Sequence, residues 1–275
     1  MYVSIDLGGT NTRVASSFDL ENIHKIERFK TEKDLETQKN LIKQAVLLVC
    51  DEKEVQYTCL GVPGTLDREN KKFLFLPNYK ILNGLPYSSF IDEKNLLVEN
   101  DAVLAALGEA IKGAGRDFDR IAYLTLGSGV GSALIKNKVL DVTTSPAEFG
   151  HEIIIENGRR GLGCGHTGCL EAYTSGLSFH EMYKVWPNEC NDQKIWNEYG
   201  EFLAMGLIKV SKAWSPEVIV LGGGISSKFE FFMPATLSYI KKQGIVKFPE
   251  VKKAELADTS GLVGGFLYLK QVLKV

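Results

Sequence analysis

The feature that most constrains this chain is a strand–glycine–strand unit that occurs twice. Residues 3–15 place apolar strand residues before Gly8-Gly9-Thr10-Asn11 and resume an extended pattern at Arg13. Residues 121–134 repeat the arrangement, with Gly127 at the position of Gly8 and Ser128 at the position of Gly9. Each unit predicts a β-hairpin with a tight turn. Two similar hairpins indicate two related halves, so we expect two α/β domains that face a cleft.

The segments between and after the hairpins alternate between helical and strand patterns. Apolar residues at helical spacing predict helices over residues 32–50, 100–112, 194–214 and 261–273. Short apolar runs predict strands over residues 55–60, 96–98 and 218–221, and Gly61-Val62-Pro63-Gly64 predicts the turn that ends the first of them. A glycine-rich stop at residues 113–115 suggests a small N-terminal domain of residues 1–115, joined by the closing helix 261–275. Residues 116–260 form the larger predicted domain.

Charge and cysteine usage exclude several classes of protein. The formal net charge is -2, whereas nucleic-acid binders usually carry a basic excess. No apolar run approaches the roughly 20 residues that cross a bilayer, and residues 1–7 lack the pattern of a signal peptide. The five cysteines are odd in number and scattered, which argues against a disulfide framework. We therefore expect a cytoplasmic protein with neither a nucleic-acid nor a membrane partner.

The two hairpins are candidates for binding the phosphates of a nucleotide. Glycines let backbone N–H groups approach phosphate oxygens, although tight turns in a sheet need glycines as well. Neither hairpin is a Walker A loop or a dinucleotide turn that opens a helix. Asp6 ends an apolar strand directly before the first glycines, a position that folding explains poorly. Its carboxylate is placed to hold Mg²⁺, through water molecules.

A second candidate is Glu99-Asn100-Asp101, where an apolar strand meets a helix. Either Asn100 or Asp101 could cap that helix. In the functional alternative, Asp101 accepts the proton of a substrate hydroxyl that attacks the γ-phosphate, and the helix N-terminus keeps its carboxylate ionised.

The second half of the chain holds two further candidates. His151 and a loop containing Cys164 and Cys169 suggest a zinc site, and an ordinary turn-rich loop fits the same residues. Glu148 and Glu171 could accept hydrogen bonds from sugar hydroxyls. Gly222-Gly223-Gly224, after a buried strand, fits either an adenosine-binding turn or a plain strand-to-helix turn.

Taken together and in this order, the motifs resemble the ROK family of sugar kinases, which have the two-domain actin-like ATPase (ribonuclease H-like) fold. The resemblance runs from Asp6-Leu7-Gly8-Gly9 through Gly61-Val62-Pro63-Gly64 and Glu99-Asn100-Asp101-Ala102 to Leu221-Gly222-Gly223-Gly224. It implies ATP-dependent phosphorylation of a hexose, glucose first, with ATP and Mg²⁺ as cofactors and a homodimeric assembly.

The resemblance also implies roles for individual residues. Asp101 is the implied catalytic base. The implied sugar contacts are Gly64, Asn78, Asn100, Asp101, Glu148, His151 and Glu171. The implied nucleotide contacts are Asp6, Gly8, Gly9, Thr10, Asn11, Arg13, Gly127, Ser128, Gly129, Gly222, Gly223 and Gly224.

The chain departs from the family at the zinc loop, which in relatives reads C-x-C-G-x-x-G-C. Leu162 stands at the position of the first cysteine, so only His151, Cys164 and Cys169 match the ligand set. His166 or water could complete the site, or zinc could be absent.

Relatives in this family differ in what they bind. Alternative substrates are N-acetylmannosamine, N-acetylglucosamine, fructose and allose, and a non-catalytic sugar sensor is a further alternative. Repressors of the family carry a helix-turn-helix module ahead of the first phosphate motif. Here that motif begins at Asp6, so we expect no DNA-reading module.

Overall fold

The computed structural model describes residues 1–91, 95–140 and 148–275. Its internal contacts divide the chain into two compact units. Unit 1 comprises Met1–Gly108 and Thr259–Val275, and unit 2 comprises Glu109–Asp258. The domain limits predicted from the sequence, 1–115 with 261–275 and 116–260, differ from these units by seven residues at the first boundary and by two at the second. Within the described ranges, every helix is too short or too polar to span a membrane.

Unit 1 is built on a five-stranded sheet. The strands in chain order are β1 (Tyr2–Leu7), β2 (Asn11–Ser17), β3 (Lys25–Lys30), β4 (Tyr57–Val62), β5 (Thr65–Asp67), β6 (Lys72–Phe75) and β7 (Leu96–Asn100). The order in the sheet is β3-β2-β1-β4-β7, while β5 and β6 form a separate hairpin. β1 is antiparallel to β2 and parallel to β4, which is parallel to β7. The carboxyl ends of β1, β4 and β7 therefore lie at one edge of the sheet.

Helices cover this sheet. They are α1 (Leu35–Cys50), α2 (Asp101–Lys112) and the last helix of the chain (Ser260–Leu273). Val3, Ile5 and Leu7 of β1 share a buried cluster with Ile42 and Val49 of α1. A second cluster joins three residues of the last helix, Leu262, Phe266 and Leu269, to Ala15, Leu20, Cys59 and Leu104. The C-terminus of the chain thus supplies part of the core of its N-terminal unit.

Unit 2 repeats the same sheet. Its strands are β8 (Arg120–Leu126), β9 (Val130–Lys136), β10 (Val139–Leu140), β11 (Val218–Gly222) and β12 (Glu250–Lys253). Its helices are α3 (Glu171–Thr174), α4 (Gly176–Tyr183), α5 (Gln193–Trp214) and α6 (Phe229–Lys242), so the last helix of the chain is α7. The order β10-β9-β8-β11-β12 has the same pattern of antiparallel and parallel neighbours as the first sheet. The similarity of the two hairpins thus extends to two whole sheets.

Long α5 shows how sequence pattern determines a core helix. Asp192 caps its first turn by accepting a hydrogen bond from the backbone N–H of Lys194 at 2.8 Å. Trp196, Tyr199, Leu203 and Leu207 then recur every three or four residues, and all are fully buried in one cluster.

Most of the predicted elements are confirmed. Both hairpins form, and α1, α2, α5, α7, β7 and β11 lie where the patterns placed them. The predicted turn over Gly61-Val62-Pro63-Gly64 is wrong in its first half, because β4 continues through Gly61 and Val62 and pairs with Glu99 and Asn100 of β7. The prediction missed the edge strands β3 and β12, whose lysines and glutamates conceal the alternation that marks a half-buried strand.

Candidate active site

The first hairpin of unit 1 makes a tight turn that exposes backbone. The Gly8 N–H donates to the Asn11 carbonyl at 3.1 Å, and a Cβ at Gly8 would lie 2.9 Å from that oxygen. Gly9, Thr10 and Asn11 are exposed. The Thr31 hydroxyl donates to the Gly8 carbonyl at 2.8 Å, which anchors the turn to the end of β3. The turn is tight and exposed, as phosphate binding by backbone N–H groups requires, and its assigned role stays a prediction.

Asp6 has a structural partner that the sequence did not reveal. It lies opposite Arg13 in the β1–β2 register, and the Arg13 guanidinium donates to its carboxylate at 3.1 Å. The Asp6 side chain is 16% exposed, so it still reaches solvent. Folding therefore does explain a carboxylate at this position, through a cross-strand ion pair. Mg²⁺ binding here depends on the remaining accessible surface of the carboxylate.

The Asn100-Asp101 segment joins β7 to α2 and is held on several sides. The Asn100 side chain accepts a hydrogen bond from the Val103 N–H at 3.1 Å, as an N-cap does. Its amide nitrogen donates to the Gly64 carbonyl at 3.0 Å. Asp101 opens the helix, is half-buried, and accepts the Ala102 N–H at 2.8 Å. The capping alternative therefore holds for Asn100. It leaves Asp101 at a helix N-terminus, which favours the ionised carboxylate that a base requires.

Sequence reasoning missed the ion pair beneath this segment. Glu99 is fully buried, and the Arg68 guanidinium makes two hydrogen bonds to its carboxylate, at 2.6 and 2.7 Å. The Asn100 N–H donates to the same carboxylate at 2.7 Å. Arg68 follows β5, so the pair connects the β5–β6 hairpin to the Asn100-Asp101 segment. No local motif marks Arg68, because its partner lies 31 residues away.

Gly64 and Asn78, two predicted sugar contacts, lie around the β5–β6 hairpin. Gly64 has a φ of +124°, and a Cβ there would overlap the Phe75 carbonyl oxygen. Asn78 is exposed in the bend after β6. Through its carbonyl, Gly64 is joined to Asn100, whereas the sugar-contact role of Asn78 stays a prediction from the resemblance alone.

In unit 2, the second hairpin lies beside Gly222-Gly223-Gly224, of which Gly222 is the last residue of β11 and the other two follow it. The Gly127 N–H donates to the Gly129 carbonyl at 3.0 Å, and the Gly176 N–H donates to the Gly127 carbonyl at 2.7 Å. Gly223 has a φ of +80° and abuts the backbone of Leu126, whereas Gly224 is exposed with open space around it. Because β8 and β11 are parallel neighbours, their carboxyl ends bring these glycines together, as in nucleotide sites of α/β proteins.

Glu171 connects this hairpin to the cysteine-rich loop. It is 7% exposed, and its carboxylate accepts the Val130 N–H at 3.0 Å. A Cβ at Gly129 would lie 2.9 Å from one of its oxygens, and a Cβ at Gly163 of the loop would lie 2.5 Å from the other. Glu148 is exposed, yet partial desolvation raises its pKa, an effect that His151 opposes and Glu171 reinforces. These three side chains influence one another, although their contact with a sugar stays a prediction.

The zinc-loop residues bring several metal-ligating atoms together. The donor atoms of His151, Cys164 and His166 all lie within 4.8 Å of one another. The sulfur of Cys169 lies 3.2 Å from that of Cys164, and both cysteines are free thiols. Leu162 is 55% exposed and offers no ligand. Two imidazoles and two thiols are a donor set that suits Zn²⁺.

Comparison with known proteins places the chain in a family. The profile of the ROK family matches residues 2–272. The chain belongs to the ROK family. It is 28% identical to a glucokinase of Thermotoga maritima, over 98% of this chain and 97% of that protein. It is also 28% identical to an N-acetyl-D-glucosamine kinase of Mannheimia succiniciproducens, over 96% of this chain and 97% of that protein.

Solved structures agree on the fold. A ROK family glucokinase from Streptomyces griseus, crystallised with glucose and AMPPNP, superposes with a TM-score of 0.85 at 23% identity and covers 98% of this chain and 99% of that one. A ROK hexokinase from Thermus thermophilus gives a TM-score of 0.79 at 26% identity, over 100% of this chain and 99% of that one. The α/β, actin-like ATPase fold predicted from the sequence is confirmed.

Proposed function

We propose that this protein is an ATP-dependent hexose kinase that transfers the γ-phosphoryl group of ATP to the terminal hydroxyl of glucose. The observation that carries the proposal is Asp101, a half-buried carboxylate at the start of α2, directly after β7. Glucokinase and sugar kinase relatives that align over nearly the whole chain support the reaction class.

The proposed chemistry is a phosphoryl transfer. The terminal hydroxyl oxygen attacks the γ-phosphorus, the bond to the β-phosphate bridging oxygen breaks, and ADP leaves. Asp101 accepts the proton of the attacking hydroxyl, and the dipole of α2 keeps this carboxylate ionised until then. Backbone N–H groups of the glycine hairpins stabilise charge on the phosphates. Mg²⁺, when bound, supplies further charge neutralisation, and the exposed part of Asp6 fits a ligand to one of its water molecules.

An N-acetylhexosamine is the second candidate substrate. Several relatives at 28% identity are N-acetyl-D-glucosamine kinases, and they cover 96–98% of this chain, compared with 98% for the glucokinase. N-acetylmannosamine, fructose and allose are further alternatives from the family resemblance. ADP release measured with each sugar, and with none, separates these candidates. We expect the highest kcat/KM with glucose, and failure of every sugar to stimulate ADP release would leave the sugar-sensor alternative.

The role of Asp101 is tested by Asp101→Asn. Loss of a general base lowers turnover by about 10²–10⁴-fold. We expect that loss in kcat, while calorimetry still detects sugar binding. Asp117→Asn is the matched control, because the Asp117 side chain is 73% exposed and lies outside the proposed site. Full activity of Asp101→Asn would remove Asp101 from the mechanism.

The remaining expectations concern Mg²⁺, assembly and location. Dependence on Mg²⁺, a homodimer, a cytoplasmic location and the absence of nucleic-acid and membrane partners stay predictions. The free state of all five cysteines is compatible with a reducing compartment.

A further inference from the structure

We propose that Arg68 and Glu99 act as positioning residues for Asp101, the base of the proposed phosphoryl transfer. The inference rests on the proposed function and extends it, because neither residue is among the implied sugar or nucleotide contacts. The pair joins segments that are 31 residues apart in the chain, and both of its members lie in unit 1. Through Glu99, we infer, Arg68 holds the junction between β7 and α2 in the arrangement that catalysis requires.

The buried carboxylate of Glu99 is oriented by the Arg68 guanidinium. The Glu99 side chain is 0% exposed, and burial of a carboxylate without a partner is costly. The guanidinium donates one N–H to each carboxylate oxygen, at 2.7 and 2.6 Å. Two parallel hydrogen bonds fix the plane of the carboxylate as well as its position, which a single contact would not do.

The oriented carboxylate in turn fixes the backbone at the start of α2. Its Oε1 atom accepts a guanidinium N–H and also the Asn100 N–H, the latter at 2.7 Å. The Asn100 side chain accepts the Val103 N–H at 3.1 Å and donates to the Gly64 carbonyl at 3.0 Å. Asn100 is therefore held at both its backbone and its side chain. Asp101 is the next residue, so its position follows from that of Asn100.

The turn that carries Arg68 is itself restrained. The Asp67 carboxylate accepts the Asn70 N–H at 2.9 Å and the Asn70 side-chain amide at 2.9 Å. The Tyr87 hydroxyl donates to the Asp67 carbonyl at 3.1 Å. These contacts restrain the backbone around Arg68, so less conformational entropy is lost when its guanidinium binds the carboxylate.

The β5–β6 hairpin is attached to the β7–α2 junction both before and after β5. Before β5, the Gly64 carbonyl accepts the Asn100 side chain. After β5, Arg68 binds Glu99. The hairpin side of these contacts carries the predicted sugar contact Gly64, and the junction carries Asp101. The ion pair therefore helps to hold the sugar-binding turn and the base at a fixed separation.

Arg68→Ala tests this role by kinetics. Without the guanidinium, the Glu99 carboxylate loses the group that orients it, and Asp101 can shift. Because a displacement of about 1 Å can lower turnover about 100-fold, we expect kcat for glucose phosphorylation to fall about 10–100-fold. The KM for ATP should change by less than about twofold, since the proposed nucleotide contacts lie elsewhere. A merely structural role would lower the melting temperature and leave the kcat of the folded protein unchanged.

Arg68→Lys separates charge from geometry. It keeps a positive charge beside Glu99, but an ammonium group cannot make the two parallel hydrogen bonds of the guanidinium. We expect this variant to fold and still to lose about tenfold in kcat. If Arg68→Ala does not fold, Arg68→Lys decides the question by the same measurements.

Lys25→Ala is the matched control. The Lys25 side chain is 45% exposed, compared with 46% for Arg68, and it also forms an ion pair, with Asp51. The Asp51 carboxylate is 43% exposed, so no buried charge is left behind. In the register of the sheet, Lys25 lies near the start of β1, whereas Asp101 follows the carboxyl end of β7. We expect wild-type kinetic constants for this variant.

Amide hydrogen exchange gives a readout that does not depend on activity. The N–H groups of Asn100 and Val103 are bound by the Glu99 carboxylate and the Asn100 side chain. We expect both to exchange about tenfold faster or more in Arg68→Ala, and at the wild-type rate in Lys25→Ala.

The outcomes distinguish this inference from the proposed function. Wild-type kcat in folded Arg68→Ala, wild-type exchange at Asn100 and Val103 in that variant, or wild-type kcat in Arg68→Lys would each overturn the positioning role. A wild-type protein that no sugar stimulates would instead overturn the proposed function. In that case the exchange rates alone decide whether the ion pair holds the junction.

Discussion

At the scale of single residues, a comparison of Gly64 with Gly84 distinguishes the energetic cost of a positive φ from the cost of a steric overlap. Both have a positive φ, +124° and +81°, but only Gly64 has a carbonyl oxygen where a Cβ would stand. We expect Gly64→Ala to lower the free energy of unfolding by about 2–4 kcal/mol, from strain plus overlap. Gly84→Ala, with open space around it, should cost only about 1–2 kcal/mol. Urea unfolding followed by far-UV circular dichroism measures both.

The same substitution also tests the coupling between Gly64 and the proposed site. The Gly64 carbonyl accepts the Asn100 side chain, so displacement of the turn should move Asn100. We expect the KM for sugar to rise about tenfold or more in Gly64→Ala and to stay near wild type in Gly84→Ala. Equal KM values in the two variants would show that the hydrogen bond does not position Asn100.

Individual residues also show that the sequence does not reveal the tertiary partners of the candidate site residues. Asp6 was identified by its position, but its Arg13 partner depends on the hairpin register. Arg68 has no motif, and only the folded chain brings it to buried Glu99. His166 was one of several ways to complete the zinc loop, and the fold brings its ring to 4.8 Å from that of His151, a proximity that the sequence does not show. Local patterns therefore located the candidate residues, whereas their partners depend on tertiary contacts.

At the scale of elements, the crossing of α2 and α7 depends on glycine. A Cβ at Gly264 would overlap the Leu104 carbonyl oxygen, and a Cβ at Gly108 would overlap that of Ser260. We expect Gly264→Ala to destabilise unit 1 by about 3 kcal/mol, because backbone on both sides resists displacement. Val272→Ala, at a position 47% exposed on the same helix, is the control and should change stability by less than about 0.5 kcal/mol. A similar effect of both variants in urea unfolding would argue against close helix contact.

Elements also differ in how much of them the sequence could predict. Long helices such as α5 carry several turns of periodic apolar residues, so their existence and type were predictable. β12 has four residues, and its pairing with β11 is not encoded in its own pattern. The sequence pattern predicts the end of β4 too early, because the glycines and the proline of Gly61-Val62-Pro63-Gly64 are typical of turns. In the fold it is extended, and a Cβ there would lie 3.0 Å from the Leu104 side chain.

At the scale of the whole molecule, the tryptophans provide a fluorescence probe for one unit only. All three tryptophans, Trp186, Trp196 and Trp214, lie in unit 2. Trp196 and Trp214 are buried, so their fluorescence reports whether the core of unit 2 is intact. Unfolding of unit 1 must be monitored by another method, such as amide hydrogen exchange in β1 and β4.

Truncation of the chain after Asp258 should unfold unit 1 and leave unit 2 folded. It removes Leu262, Phe266 and Leu269, whose burial contributes about 5–9 kcal/mol, comparable with the stability of a whole domain. Unit 2 keeps its continuous chain and its own core. We therefore expect rapid amide exchange in β1 and β4 with tryptophan emission unchanged. Removal of Lys274 and Val275 alone, both exposed, should alter neither signal. Wild-type protection of β1 in the longer truncation would show that unit 1 folds without α7.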